Sequence, residues 1–275
     1  MNKHVNLTSY DDVEKLDNFT DLEFMNYCDE KLFLCEKHLA FIKKMFPKNE
    51  KIDICEIGSG NSKLLYKLEQ NNMINNAIGI EISRSRYLFA EKFKKYVKSE
   101  KVTNINKNIF NVTFEKKFQI IVGVDIVFQL ITAIQNGYEE KLLSWIDNNL
   151  DENGYLILEL WSFESIIKQL HMNDNVLHIW SEFAVSDPFK YVLSDLSIDK
   201  DKNIIWNKKF IKRDSHGESF FNNILKPYSK DLIVEILKKH NFKDIKIYDS
   251  WDKEDDCEKD EYIVVAKKQE LVNES

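Results

Sequence analysis

The stretch ICEIGSGNSKLLYKL, residues 54–68, passes from an apolar run through two glycines into an amphipathic helical pattern. Four further runs repeat the apolar rhythm: NAIGIEI (76–82), VTNIN (102–106), FQIIVGV (118–124) and GYLILEL (154–160). NSKLLYKLEQNN, SRYLFAEKFKKYVKS and GYEEKLLSWIDNNL lie between them with helical spacing. Short strands alternating with helices of this length form βαβ units, so the spacing predicts a parallel sheet covered by helices on both faces.

In such a sheet a ligand sits where a strand ends and its helix begins, and the 54–68 loop is the first such place. Gly58 and Gly60 permit a tight turn and a close approach of backbone to ligand. A dinucleotide fingerprint needs a third glycine where this chain has Lys63. A phosphate loop needs G-x-x-x-x-G-K-[ST], which GSGNSKLL does not supply. The second strand ends in Glu81, roughly 20 residues beyond the loop, where a carboxylate can accept from both hydroxyls of a ribose. Glycine loop and acid together point to an adenosine-bearing ligand.

The flanking segments read differently. From Asp21 to Phe46, apolar residues recur at helical intervals, whereas residues 1–20 are polar and unpatterned, read as loosely ordered or draped over the surface. After Trp161 the alternation stops, and KYVLSDLSI, NIIWNKKFIK and SFFNNILK read as an antiparallel meander. Ser229 starts a helix as N-cap, and FKDIKIYDSW with DEYIVVAKK reads as a closing strand pair.

The formal net charge is −7, and Arg84, Arg86 and Arg213 are the only arginines, which argues against a nucleic-acid partner. Cys28, Cys35, Cys55 and Cys257 show no C-x-x-C pair and no metal-finger spacing, and read as reduced structural thiols. The N-terminal stretch has no apolar core of a signal peptide, and the longest apolar run, 120–128, is too short to span a bilayer. The expectation is a cytoplasmic protein with no membrane partner.

Glu56-Ile57-Gly58-Ser59-Gly60-Asn61 resembles motif I of the Rossmann-like (class I) S-adenosylmethionine-dependent methyltransferases, and Glu81 resembles their ribose-binding acid. FQIIVGVDIVFQLI is similar to the family's fourth strand and following loop, and the closing helix and strand pair to its C-terminal end, so the resemblance covers about residues 51–267. It implies a mostly parallel seven-stranded α/β sheet with helices on both faces, an N-terminal helical lid and an antiparallel β insertion. The corresponding division is 1–50 (lid), 51–162 (cofactor-binding core), 163–227 (inserted substrate cover) and 228–275 (closing helix and strands).

The resemblance implies S-adenosyl-L-methionine as cofactor. Its binding residues would be Glu56, towards the methionine amino group, then Gly58, Ser59, Gly60 and Asn61, then Glu81 and Ile82, with Asn108 and Ile109 at the adenine and Asp125 at the fourth strand's end. Asn108 stands where the family usually has an aspartate, and Gln129 replaces a frequent histidine. The sequence leaves the general base open among His171, His178, His216, His240, Asp125 and Glu159; Asp125 and His178 are the two catalytic candidates. Asp125, Glu159 and Asp187 offer carboxylates, but no spacing demands a metal and none is expected. Trp161, Trp180, Phe183, Phe189 and Tyr191 read mostly as core under the meander, with one or two as pocket lining. The expected partner is a small polar acceptor, a sugar or other surface-polysaccharide precursor, methylated on a hydroxyl; an amine acceptor and a catalytically silent cofactor binder are the alternatives. A homodimer is one option for the oligomeric state.

Overall fold

Each apolar run becomes a strand. The first five are β1 (Ile52–Ile57), β2 (Ile74–Glu81), β3 (Val102–Asn106), β4 (Phe118–Gly123) and β5 (Leu150–Trp161), and the closing pair is β10 (Phe242–Tyr248) and β11 (Glu261–Lys268). The computed structural model describes residues 10, 14–46, 51–183, 185, 187, 189–213, 218–251 and 260–269. The seven strands form one sheet in the order β10-β11-β5-β4-β1-β2-β3. β1 to β5 pair in parallel, while β11 runs antiparallel to β5 and β10. Chain order reverses at the β1/β4 boundary, and a crevice opens there beyond the strand ends.

Helices α1 (Asp21–Leu34), α2 (Glu36–Met45), α3 (Lys63–Gln70) and α4 (Arg84–Val97) cover one face, and α6 (Tyr138–Asn149) and α8 (Lys230–Lys239) cover the other. α1 starts with a capping box between Thr20 and Glu23, and Ser229 caps α8 by accepting from the Leu232 amide at 3.2 Å. Alternation along β1 sends Ile52 and Ile54 to the first core and Cys55 and Ile57 to the second. Glu56 therefore occupies the next position on the face that Ile52 and Ile54 fill with methyl groups.

The apolar run 120–128 is not one strand. β4 ends at Gly123, and Asp125 and Ile126 both turn left-handed, with φ of 56° and 60°. The short α5 (Val127–Thr132) follows. This turn sends the two side chains apart: Asp125 is exposed, while Ile126 is buried in a third apolar cluster with Phe163, Leu170, Leu196, Ile204 and Leu225.

That cluster seats the insertion, which has more structure than its periodicity predicts. It contains α7 (Glu164–Met172) and four antiparallel strands in sequence order, β6 (Val176–Glu182), β7 (Phe189–Ile198), β8 (Ile204–Lys212) and β9 (Glu218–Leu225). β6 was hidden because it is an edge strand with six of its seven residues exposed, so no buried face leaves an apolar rhythm. Trp180 on β6 is 67% exposed, which corrects its reading as core. Phe183 and Phe189 do pack together with Phe210.

Gln129 ties the insertion to the main sheet. Fully buried, its Nε2 donates to the carbonyls of Trp161 and Lys226, both at 2.9 Å, and its Oε1 accepts from the Trp161 amide at 2.7 Å. Leucine there would strand two carbonyls and one amide without water. We expect Gln129→Leu to lower the unfolding free energy by about 3 kcal/mol in urea titrations.

Candidate active site

The crevice is a cavity of about 300 Å³ between the β1 and β4 ends, walled by the 56–63 loop, Glu81, Ile82, the 107–110 turn and Asp125. Gly58 lines it and Gly60 lies behind it, and neither position has room for a side chain. Gly58 has φ of 60°, and a Cβ there would lie 2.2 Å from Val127 Cγ2. Gly60, with φ of 56°, would press its Cβ to 2.4 Å from the Arg86 guanidinium. Its amide donates to Glu81 Oε2 at 2.8 Å, and the Ser83 amide donates to Oε1 at 2.7 Å. The Glu81 carboxylate is thus fixed by two backbone donors, and each oxygen keeps a lone pair for a ligand.

Glu56 is 4% exposed and its Oε2 has no hydrogen-bond partner among the described residues. Burial pushes its carboxyl up to about 8, against the opposing pull of the Lys63 ammonium. Such a group fits a cavity that receives a cation, because an ammonium placed there restores the charged form.

A buried polar network clamps this loop to the N-terminal segment. Glu14, 5% exposed, accepts from Asn61 Nδ2 at 2.6 Å, Tyr27 Oη at 3.0 Å and Arg86 Nε at 3.1 Å. Burial alone would raise the Glu14 carboxyl; the Arg86 guanidinium, Lys31 and the Tyr27 hydroxyl together outweigh it and hold the group below the usual carboxylate range. Tyr10 also lines the cavity, and its carbonyl accepts from Ser83 Oγ at 3.1 Å. Residues 1–20 were expected to drape loosely, and Tyr10 and Glu14 correct that reading at those two positions. The sequence carries no sign of it, since Asn61, Arg86 and Ser83 lie 47 to 73 residues from their partners and the segment has no periodicity.

Asp125 lies at the cavity mouth with its side chain 70% exposed, 3.4 Å from Lys63 Nζ. The Lys63 ammonium holds its carboxyl well below the usual range. The Asp125 amide donates to Glu159 at 2.9 Å. Glu159, also held by Trp251 Nε1 at 3.1 Å, is pushed up to about 8 by burial and by the Asp125 charge. His38 of α2, which the sequence reading passed over, is buried against Trp251 with ring centroids 4.5 Å apart, and burial pushes its imidazole down to about 3.

Nine of the ten sequence-derived binding residues meet at this cavity: Glu56, Gly58, Ser59, Asn61, Glu81, Ile82, Asn108, Ile109 and Asp125. Gly60 supports it from behind through Glu81. Asn108 already spends one lone pair of its Oδ1 on the Phe110 amide, at 3.0 Å. Of the base candidates, the structure does not bring His178 to the cavity: it is exposed on edge strand β6, with Nδ1 2.7 Å from Asp195. His171 is exposed near the end of α7, and His240 ends α8 beside Glu140 at 3.1 Å. His216 and Cys257 lie outside the described residues; Cys28, Cys35 and Cys55 are buried free thiols. Among the described residues no three His, Cys, Asp or Glu side chains converge as metal ligands, and no helix is long and apolar enough to cross a membrane.

No family model matches the sequence, and no curated protein matches it either. Solved structures do match the fold. An S-adenosylmethionine-dependent methyltransferase from Clostridium acetobutylicum superposes with a TM-score of 0.70 at 17% identity, over 86% of this chain and 92% of that one. CalS10, an amino pentose methyltransferase from Micromonospora echinaspora, gives 0.60 at 11% identity over 88% and 91%. KedS8, a sugar N-methyltransferase from Streptoalloteichus, gives 0.58 at 12% identity over 86% and 88%. The chain has the Rossmann-like fold of these methyltransferases, as the resemblance carried by residues 56–61 and Glu81 implied.

The two raised carboxyls set a pH dependence. The folded state keeps protons on Glu56 and Glu159 that the unfolded chain releases above its ordinary carboxylate range, so stability falls as pH rises from about 4.5 towards 8. Thermal unfolding of the ligand-free protein should show this slope. Glu56→Gln, which carries no charge to bury, should flatten it and melt above wild type at pH 8 but not at pH 5.

Proposed function

We propose that this protein is an S-adenosylmethionine-dependent methyltransferase acting on a small, sugar-like acceptor. The observation that carries the reading is the pair of buried acids at the two sides of one glycine-lined cavity: Glu56 with an orphaned oxygen, Glu81 with both oxygens fixed by backbone amides. A ligand with an ammonium at one end and a ribose diol further along satisfies both. Glu56 would take the ammonium, Glu81 the diol, Gly58 and Gly60 would admit the ligand's body, and Ile82, Ile109 and Asn108 would hold the base. When bound, such a cofactor supplies an electrophilic methyl group on a sulfonium.

The chain's own task is then to hold the acceptor in line and keep water out. Tyr10 lines the cavity and is held there by Asn223 of the second sheet, whose Nδ2 donates to its hydroxyl. Asp125, strained into a left-handed turn and pinned through its amide, is placed to orient a polar acceptor at the mouth.

The family resemblance of the motif I loop and the segment after it favours a hydroxyl of a sugar or other surface-polysaccharide precursor. The amine reading gains from the names of CalS10 and KedS8, both methyltransferases of amino or N-methylated sugars. Calorimetry tests the cofactor: S-adenosylhomocysteine binds and NADH does not. Glu56→Gln and Glu81→Ala each weaken that binding at least tenfold, the cost of one charge-assisted hydrogen bond. Tight NADH binding with no response to the sulfur ligand refutes the reading. Incorporation of labelled methyl from the cofactor into a panel of sugar nucleotides and amino sugars, with mass spectrometry of the product, separates oxygen from nitrogen and an enzyme from a silent binder.

A further inference from the structure

The inner face of the second sheet carries chemistry that the cofactor reading leaves unused. On β8, Ile204 and Trp206 belong to the cluster that also buries Ile126, and alternation puts Lys208 on that same face. Lys208 is therefore directed to the side on which the Asp125–Ile126 turn lies. Its Nζ stands 3.7 Å from the centroid of the Trp206 ring, and it makes no salt bridge among the described residues. Across the ladder Lys208 faces Ser194 of β7 and Phe221 of β9.

A second link to the cavity is independent of that turn. Asn223, opposite Trp206 on β9, is fully buried; its Nδ2 donates at 3.1 Å to the hydroxyl of Tyr10, which lines the cavity, and its Oδ1 has no partner among the described residues. Trp206 Nε1 is likewise buried without a partner. A donor, an acceptor and an amine thus share one face beside the cavity, over the Trp161–Trp206 indole pair.

We propose that this face is the acceptor subsite and that Lys208 is the group that takes the proton from the attacking hydroxyl or amine. The inference rests on the methyltransferase reading. The acceptor's lone pair forms the new bond to the methyl carbon as the carbon–sulfur bond breaks and its electron pair stays on sulfur. The acceptor's proton passes to the neutral Lys208 amine, leaving an ammonium in the field of Asp125. Burial supports the neutral form, pulling the Lys208 amine down to about 8 against the opposing charge of Asp125. Asp125 is the charged group whose field reaches it; Ser194, Phe221 and Asn223 do not titrate in this range, and burial raises the Tyr10 phenol.

Competitive acetylation with isotope-coded acetic anhydride, read by peptide mass spectrometry across pH, measures this amine in the full-length protein with and without S-adenosylhomocysteine. Lys208 should titrate about two pH units below an ordinary lysine, and Asp125→Asn should lower its midpoint further. A midpoint near the ordinary value of about 10.4, or one indifferent to Asp125→Asn, overturns the proposal. So does inorganic phosphate raising the midpoint and blocking acetylation, which would make Lys208 an anion anchor. Lys208→Met should leave S-adenosylhomocysteine affinity intact while lowering kcat on a panel acceptor about a hundredfold, with rescue by ethylamine; retained kcat overturns the role. Failure to bind S-adenosylhomocysteine at all refutes the methyltransferase reading instead, a result the acetylation titration does not mimic.

Discussion

The hydrogen bond from the Gly60 amide to the Glu81 carboxylate, 2.8 Å long and buried, joins the two strand ends that define the site. It requires the Gly60 backbone to be left-handed and free of a side chain, since a Cβ would strike Arg86. Arg86 in turn is packed there because Glu14 neutralises it. Loop, second-strand acid, helix α4 and N-terminal segment are thus one linked constraint, and the cavity is the space it leaves.

Buried charge is distributed unevenly around that space. Glu14 and Arg86 are a satisfied pair, so their burial is compensated locally. Glu56 has no such partner among the described residues and answers by holding its proton. The difference separates a compensated buried acid from an uncompensated one, and Lys208 of the second sheet, without a salt bridge among the described residues, follows the same logic with the opposite sign.

Well-defined contacts among the described residues join the second sheet to the rest of the fold. Ile126 enters its apolar cluster, Gln129 bridges Trp161 and Lys226, and Asn223 reaches Tyr10. Gln129, where the resembling family often has a histidine, is fully engaged in joining the two sheets. That arrangement gives the position a structural purpose independent of any proton transfer.

The sequence alone determined the main sheet, because strands buried on both faces must be continuously apolar and their crossover helices amphipathic. It also determined the motif loop and Glu81, because both lie at strand ends where spacing along the chain fixes spacing in space. Glu14, His38 and Lys208 were invisible to it. Each draws its character from burial and from partners tens of residues distant, and a lone acid, histidine or lysine carries no periodicity. His178 illustrates the converse: a histidine of the insertion stands on its exposed edge, because only the pairing order of β6 to β9 decides which strand lies outermost. Periodicity reports which face of an element is buried; what it is buried against is decided by the tertiary structure.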